Sequence, residues 1–138
     1  MSLLLLMLTV FGPSASAATP WDETLTCRPG LFRFAYAGKK IEEPSTLCFD
    51  QGRSILVSAN CEKGTCEALG AKICALPTPK VASFEGPGLC EALGGFLQEG
   101  AFYDGKAWWD MNRCYFAGDR SFADTGVLAA RRAQCFKK

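Results

Sequence analysis

Eight cysteines punctuate this chain: Cys27, Cys48, Cys61, Cys66, Cys74, Cys90, Cys114 and Cys135. They follow a leader-like start, "MSLLLLMLTVFGPSASAAT". Leu3 to Phe11 is an apolar run, Gly12-Pro13 breaks it, and small residues follow. That is the layout of a secretory signal with an Ala-x-Ala cleavage site, ending at Ala17 or, nearly as well, at Ala18. The run is about half the roughly 20 residues that a spanning helix needs. The reading is therefore a signal peptide over 1–17 and a single disulfide-stapled domain over 18–138. After cleavage no stable membrane insertion is expected. An even cysteine count in an exported chain of this size predicts a disulfide framework, with the pairing left open. The chain is then secreted or periplasmic.

The remaining residues read as hairpins and short helices. In "LFRFAY", Phe32, Phe34 and Tyr36 alternate with Arg33 and Ala35, the period of a half-buried strand. Pro44 should weaken the next strand or put it at an edge. "YAGKKIEEPSTLCFDQGRS" (36–54) and "YDGKAWWDMNRCYFAGDRS" (103–121) align from end to end with a small gap. They predict two related β-hairpin units, about 27–61 and 90–135, in an α+β fold with short helices. Cys27, Cys48 and Cys61 answer to Cys90, Cys114 and Cys135. Three cysteines per unit is odd, so each unit must send at least one to the spare pair, Cys66 and Cys74, or to the other unit. Between the units, 75–88 holds Pro77, Pro79 and Pro87 and reads as an extended connector.

"CEALG" occurs twice, at 66–70 and 90–94. Cys and Leu three apart share one face of a helical turn. Each copy predicts a short helix tied down by its cysteine, with Gly70 or Gly94 as a left-handed stop. "DTGVLAARRAQC" predicts a helix starting at Asp124 that turns Leu128 and Cys135 inward. Arg131, Arg132, Lys137 and Lys138 near its end read as a solvated basic cluster.

The chemistry the residues leave out is as informative. No histidine is present and the net charge is +1, which removes His-dependent hydrolases and gives no field for nucleic acid. Glu42-Glu43 and Asp22-Glu23 are adjacent pairs that point to opposite faces of an extended strand. Glu91, Glu99, Asp104 and Asp110 are scattered. No Cys-x-x-Cys, phosphate loop or glycosylation sequon occurs. No catalytic residue, metal ligand or cofactor is expected.

The best candidate surface lies in "KAWWDMNRCYF" (106–116). Ala107, Trp109, Met111 and Tyr115 fall on one strand face, Lys106, Trp108, Asp110 and Asn112 on the other. The first face is the more apolar, so Trp109 belongs to the core. Trp108, Asp110 and Asn112 form the candidate binding surface, with Trp108 able to stack on a peptide or sugar.

The second unit also has Pro87-x2-Cys90-x3-Gly94-Gly95, Cys114-Tyr-Phe, a Gly-Asp-Arg-Ser turn and a closing Cys135. Over about 50 residues it resembles a small exported bacterial domain of unknown function that carries a haemolysin label. That resemblance implies export and no particular activity. The expected role is a monomeric, non-enzymatic protein that binds or inhibits another macromolecule, an unknown protein or glycan. The alternatives are a secreted carboxylate-dependent hydrolase of sugar or peptidoglycan and a structural coat component.

Overall fold

The structure is a computed structural model that describes Trp21, 24–70, 72–77 and 86–136. The signal segment lies outside these residues. Six antiparallel strands close into a barrel: β1 (Thr26–Tyr36), β2 (Lys39–Phe49), β3 (Leu56–Ser58), β4 (Phe96–Tyr103), β5 (Trp108–Phe116) and β6 (Ser121–Asp124). Around the barrel the order is β1, β2, β3, β6, β5, β4, with β4 returning to β1. Among the described residues three α-helices accompany them: α1 (Lys72–Ala75), α2 (Gly86–Ala92) and α3 (Thr125–Gln134). The α+β expectation is thus corrected to a mostly β architecture; the helices are too short to form a layer of their own.

Local chemistry explains the hairpins. Ala37 and Gly38 both take positive φ (50° and 76°), the turn that matches the twist of two antiparallel strands. Between β4 and β5, Asp104 Oδ1 accepts from the Lys106 and Ala107 N–H groups, each at 2.8 Å. Closure depends on two glycines at the β1–β4 seam. A Cβ on Gly30 would overlap the Tyr103 carbonyl, and one on Gly100 would overlap that of Arg33. Only bare backbones fit there.

The alternation in β2 and β5 sends side chains to two separate cores. Phe32, Phe34, Leu47, Phe102, Met111 and Phe122 fill the barrel, with Trp109 packed against them. Arg113 joins this interior although it is charged. It is 1% exposed and its guanidinium lies 3.9 Å from the Phe32 ring. It pairs with Glu43 and donates through Nε to Gln98 Oε1 at 2.6 Å. Burial pulls the Arg113 guanidinium below its ordinary pKa, and the Glu43 carboxylate opposes that.

Outside the barrel a second cluster joins Cys48, Val57, Cys114, Phe116 and Ala123 of the strands to Leu69, Ile73, Leu89 and Leu128 of the helical segments. Disulfides run through this layer. Cys27 bonds Cys48 and Cys90 bonds Cys114, each within one unit. Cys61 bonds Cys66 and Cys135 bonds Cys74, so each unit sends its third cysteine to the spare pair.

The two CEALG copies differ in structure. Cys66 caps a 3-10 turn, Glu67–Leu69, and Gly70 is extended at φ −68°, so the expected left-handed stop is absent there. Ile73 N–H instead donates to Gly70 O at 3.4 Å as the chain runs on into α1. Cys90 lies within α2, and Gly94 takes the left-handed stop at φ 82°. Both cysteines and their leucines pack in the outer layer, which makes the repeated word part of the scaffold. The connector also needs correcting at its ends. Ala75 closes α1 and Gly86-Pro87-Gly88 open α2; 78–85 lie outside the described residues.

Helix α3 begins as its cap predicts, with Asp124 Oδ1 accepting from Gly126 N–H at 2.8 Å. Leu128 is buried and Cys135 is half-buried. Its arginines are not a solvated cluster. Arg132 is buried and donates to the carbonyls of Ile73 (2.7 Å) and Leu76 (2.8 Å), while Arg131 reaches Leu69 O at 3.1 Å. Arg132 thus satisfies carbonyls left over at the end of α1, and Arg131 the one at the end of the Glu67–Leu69 turn. Lys137 and Lys138 lie outside the described residues.

Candidate functional site

Where helices do not cover the barrel, the outward face of β2, β1, β4 and β5 meets solvent. Strand register orders its side chains into rows. Pro44, Leu31, Tyr103 and Trp108 form one row; Glu42, Arg33, Ala101 and Asp110 form the next. Asn112 stands opposite Glu99 in a third. Trp108, Asp110 and Asn112 are all exposed and share this face. Trp109 turns the other way, 5.1 Å from Phe49 and 6.3 Å from Phe102 by ring centroids, with Arg53 over its ring at 3.5 Å. The face assignment made from the alternation is therefore the one the barrel adopts, and the reason is the period of the strand.

Trp108 is 39% exposed and does not stand alone. Tyr103 lies beside it at 5.1 Å, and the Arg33 guanidinium sits over the indole at 3.9 Å. Arg33 is fixed in turn by Glu42, Nε to Oε1 at 2.7 Å. The result is a short aromatic platform with a cation held on it. The loop behind it is closed by hydrogen bonds to Asp104. Hydrogen bonds from the Ala107 and Lys106 amides hold the Asp104 carboxyl below its ordinary pKa.

Next to the platform, small residues Ala35, Gly100 and Ala101 leave a depression of about 290 Å³. Arg33, Lys40, Glu99 and Asp110 rim it. Two carboxylates that the sequence left scattered thus line one hollow. Counting back from the Asp104–Ala107 loop would have paired residue 101 with 110 and 99 with 112, so that signal was present. Tyr103 and Arg33 were missed as partners of Trp108, and Arg33 comes from β1, far back in the chain. Glu42 and Glu43 diverge as adjacent strand residues must: Glu42 binds Arg33 outside and Glu43 binds Arg113 inside. Among the described residues, one set of ligand-type atoms clusters within 4.8 Å: Cys27, Cys48 and Glu62. The two sulfurs are bonded to each other and offer no thiolate to a metal.

No protein-family model, no curated protein and no solved structure matches this chain. No described helix is long and apolar enough to cross a membrane, and four disulfides fit maturation in an oxidising compartment.

Proposed function

We propose that the protein is a secreted or periplasmic binding or inhibitor protein that engages another macromolecule through the Trp108 face. The observation that carries this reading is the Trp108–Tyr103 platform with Arg33 stacked upon it. An exposed indole backed by a half-buried tyrosine and a paired cation offers a large contact area at low entropic cost. Asp110 and Asn112 beside it supply polar partners at the rim. Trp108→Ala in the oxidised protein is expected to abolish capture of its partner from the native extracellular or periplasmic fraction. The fold should be retained, with a loss of about 1–2 kcal/mol for the contacts with Tyr103 and Arg33. Unchanged capture by that variant overturns the reading.

The hydrolase alternative draws on a separate observation, the shared hollow of Glu99 and Asp110. A pair of converging carboxylates is what glycoside hydrolysis requires. Release of soluble fragments from peptidoglycan or a chito-oligosaccharide, lost in Asp110→Asn, would favour it over simple binding. The binding reading expects no turnover in either protein.

The same reading treats the chain as two copies of one hairpin unit. In support, Cys27–Cys48 and Cys90–Cys114 join cysteines that the alignment equates. The halves also meet like strand to like strand, β1 against β4 and β3 against β6, as a two-fold relation requires.

A further inference from the structure

Strand β3 is three residues long beside the 11 of β2, and along β2 it pairs only with Leu47 to Phe49. Among the described residues, the stretch of β2 before Leu47 therefore has no strand partner on that side, which is why Pro44 is tolerated there. The missing wall leaves a window into the barrel. Its inner lobe has a volume of about 380 Å³ and is lined by Glu43, Pro44, Ser45, Arg113, Tyr115, Arg120 and Phe122. An outer lobe of about 310 Å³ shares Pro44, Ser45, Arg120 and Phe122, and reaches Ser58, Asn60 and Asp119.

We infer that this window is a binding site for a small organic monocarboxylate, held between Arg113 and Arg120 with its apolar body against Tyr115 and Phe122. A guanidinium carries five N–H donors in a planar fork. In Arg113 the Nε bond goes to Gln98 and an Nη2 bond goes to Glu43. The Nη1 amino group has no hydrogen-bond partner among the described residues. The buried side-chain atoms without a partner among the described residues are Trp109 Nε1 and Arg131 Nε; Nη1 is instead open to solvent, and a carboxylate in the window can replace water on its donors. Arg120 stands at the rim of both lobes, exposed, with no ion pair among the described residues. Its left-handed backbone, φ 60°, fixes where the side chain leaves the turn.

Charge sets the valence of the ligand. Glu43 offsets one of the two arginines in the inner lobe, leaving one positive charge. Asp119 lines the outer lobe and not the inner one. It keeps its negative charge while its oxygens accept from the Glu67 N–H at 2.8 Å and the Ser121 N–H at 2.9 Å, so the carboxylate belongs in the inner lobe. A planar carboxylate matches the guanidinium fork, and the volume suits a body of amino-acid size.

The test is an NMR titration of the oxidised protein with N-acetyl-L-phenylalanine. Saturable shifts of the Arg113 Nε–H and of the Ser45 and Phe122 amides are expected. Arg120→Ala, at an exposed position, should weaken binding about tenfold, as should use of the neutral N-acetyl-L-phenylalanine amide as ligand. No saturable shift, equal binding of acid and amide, or an Arg120→Ala variant that binds like wild type overturns the site. Inorganic phosphate binding as tightly as the carboxylate overturns the ligand class. Shifts centred on the Trp108 indole would place the ligand on the other face and also overturn it.

Discussion

Within β5, Met111 and Arg113 point into the barrel while Cys114 and Phe116 point out toward the helices, and the two sides are held by different means. The inner cluster contains no cysteine; its rings surround a guanidinium. The outer cluster contains Cys48, Cys61, Cys66, Cys90 and Cys114. It joins the barrel to helices of four, seven and ten residues, lengths that are marginal without tertiary support. A closed barrel positions its own interior, because each strand is fixed by two neighbours. Short segments laid on its outside lack that constraint, and covalent sulfur replaces it.

Removing the Cys74–Cys135 bridge tests the outer side most severely. It closes a 61-residue separation, so chain entropy gives it about 4 kcal/mol. The double variant Cys74→Ala/Cys135→Ala should lose about that much in urea unfolding. Its near-UV circular dichroism should still report ordered aromatic packing inside the barrel. Loss of that signal before unfolding would mean that the inner cluster depends on the outer one, and the contrast would fail.

A smaller effect is expected inside. Arg113→Met keeps an unbranched side chain among the rings and removes the cost of burying a charge. Glu43, 42% exposed in its side chain, can then turn to water. Stability should stay within about 1 kcal/mol of wild type, read from the urea midpoint at constant slope. A large loss would show that the cation organises the rings rather than being tolerated by them.

Acid provides the mildest probe. Burial raises the carboxyl of Asp119, but hydrogen bonds from Ser121 and Glu67 outweigh it, leaving the pKa below the ordinary 3.8. Asp50 behaves alike, burial being outweighed by Ser54 and Ile55. Their stabilisation is complete above pH 3.8 and is lost as pH falls through the lower folded values. Burial raises Asp124 instead, so protonating it relieves the fold as pH falls from its folded value toward 3.8. The urea midpoint should therefore decline below pH 3.8, and Asp119→Asn should flatten that decline. An unchanged slope in the variant would remove Asp119 from the account.

Much of the strand chemistry was legible. The alternation around Phe32 and Phe34, the opposite directions of Trp108 and Trp109, and the Asp124 cap all depend on neighbours within a few residues. Arg113 was not legible as an interior residue. It lies on the apolar side of its strand, yet its acceptors, Glu43 and Gln98, come from other strands. Arg131 and Arg132 looked solvated because the carbonyls they bind belong to residues 69–76, far back in the chain.

By itself the sequence determined which side chains share a strand face and that the sulfurs would oxidise, since backbone geometry and thiol chemistry are local properties. Only the tertiary structure decided which sulfurs meet, that β4 closes onto β1 through Gly30 and Gly100, and that a short β3 leaves a window beside Arg113. Those outcomes depend on contacts between distant residues, where the entropy of closing long loops competes with packing, and no short stretch of chain records the result.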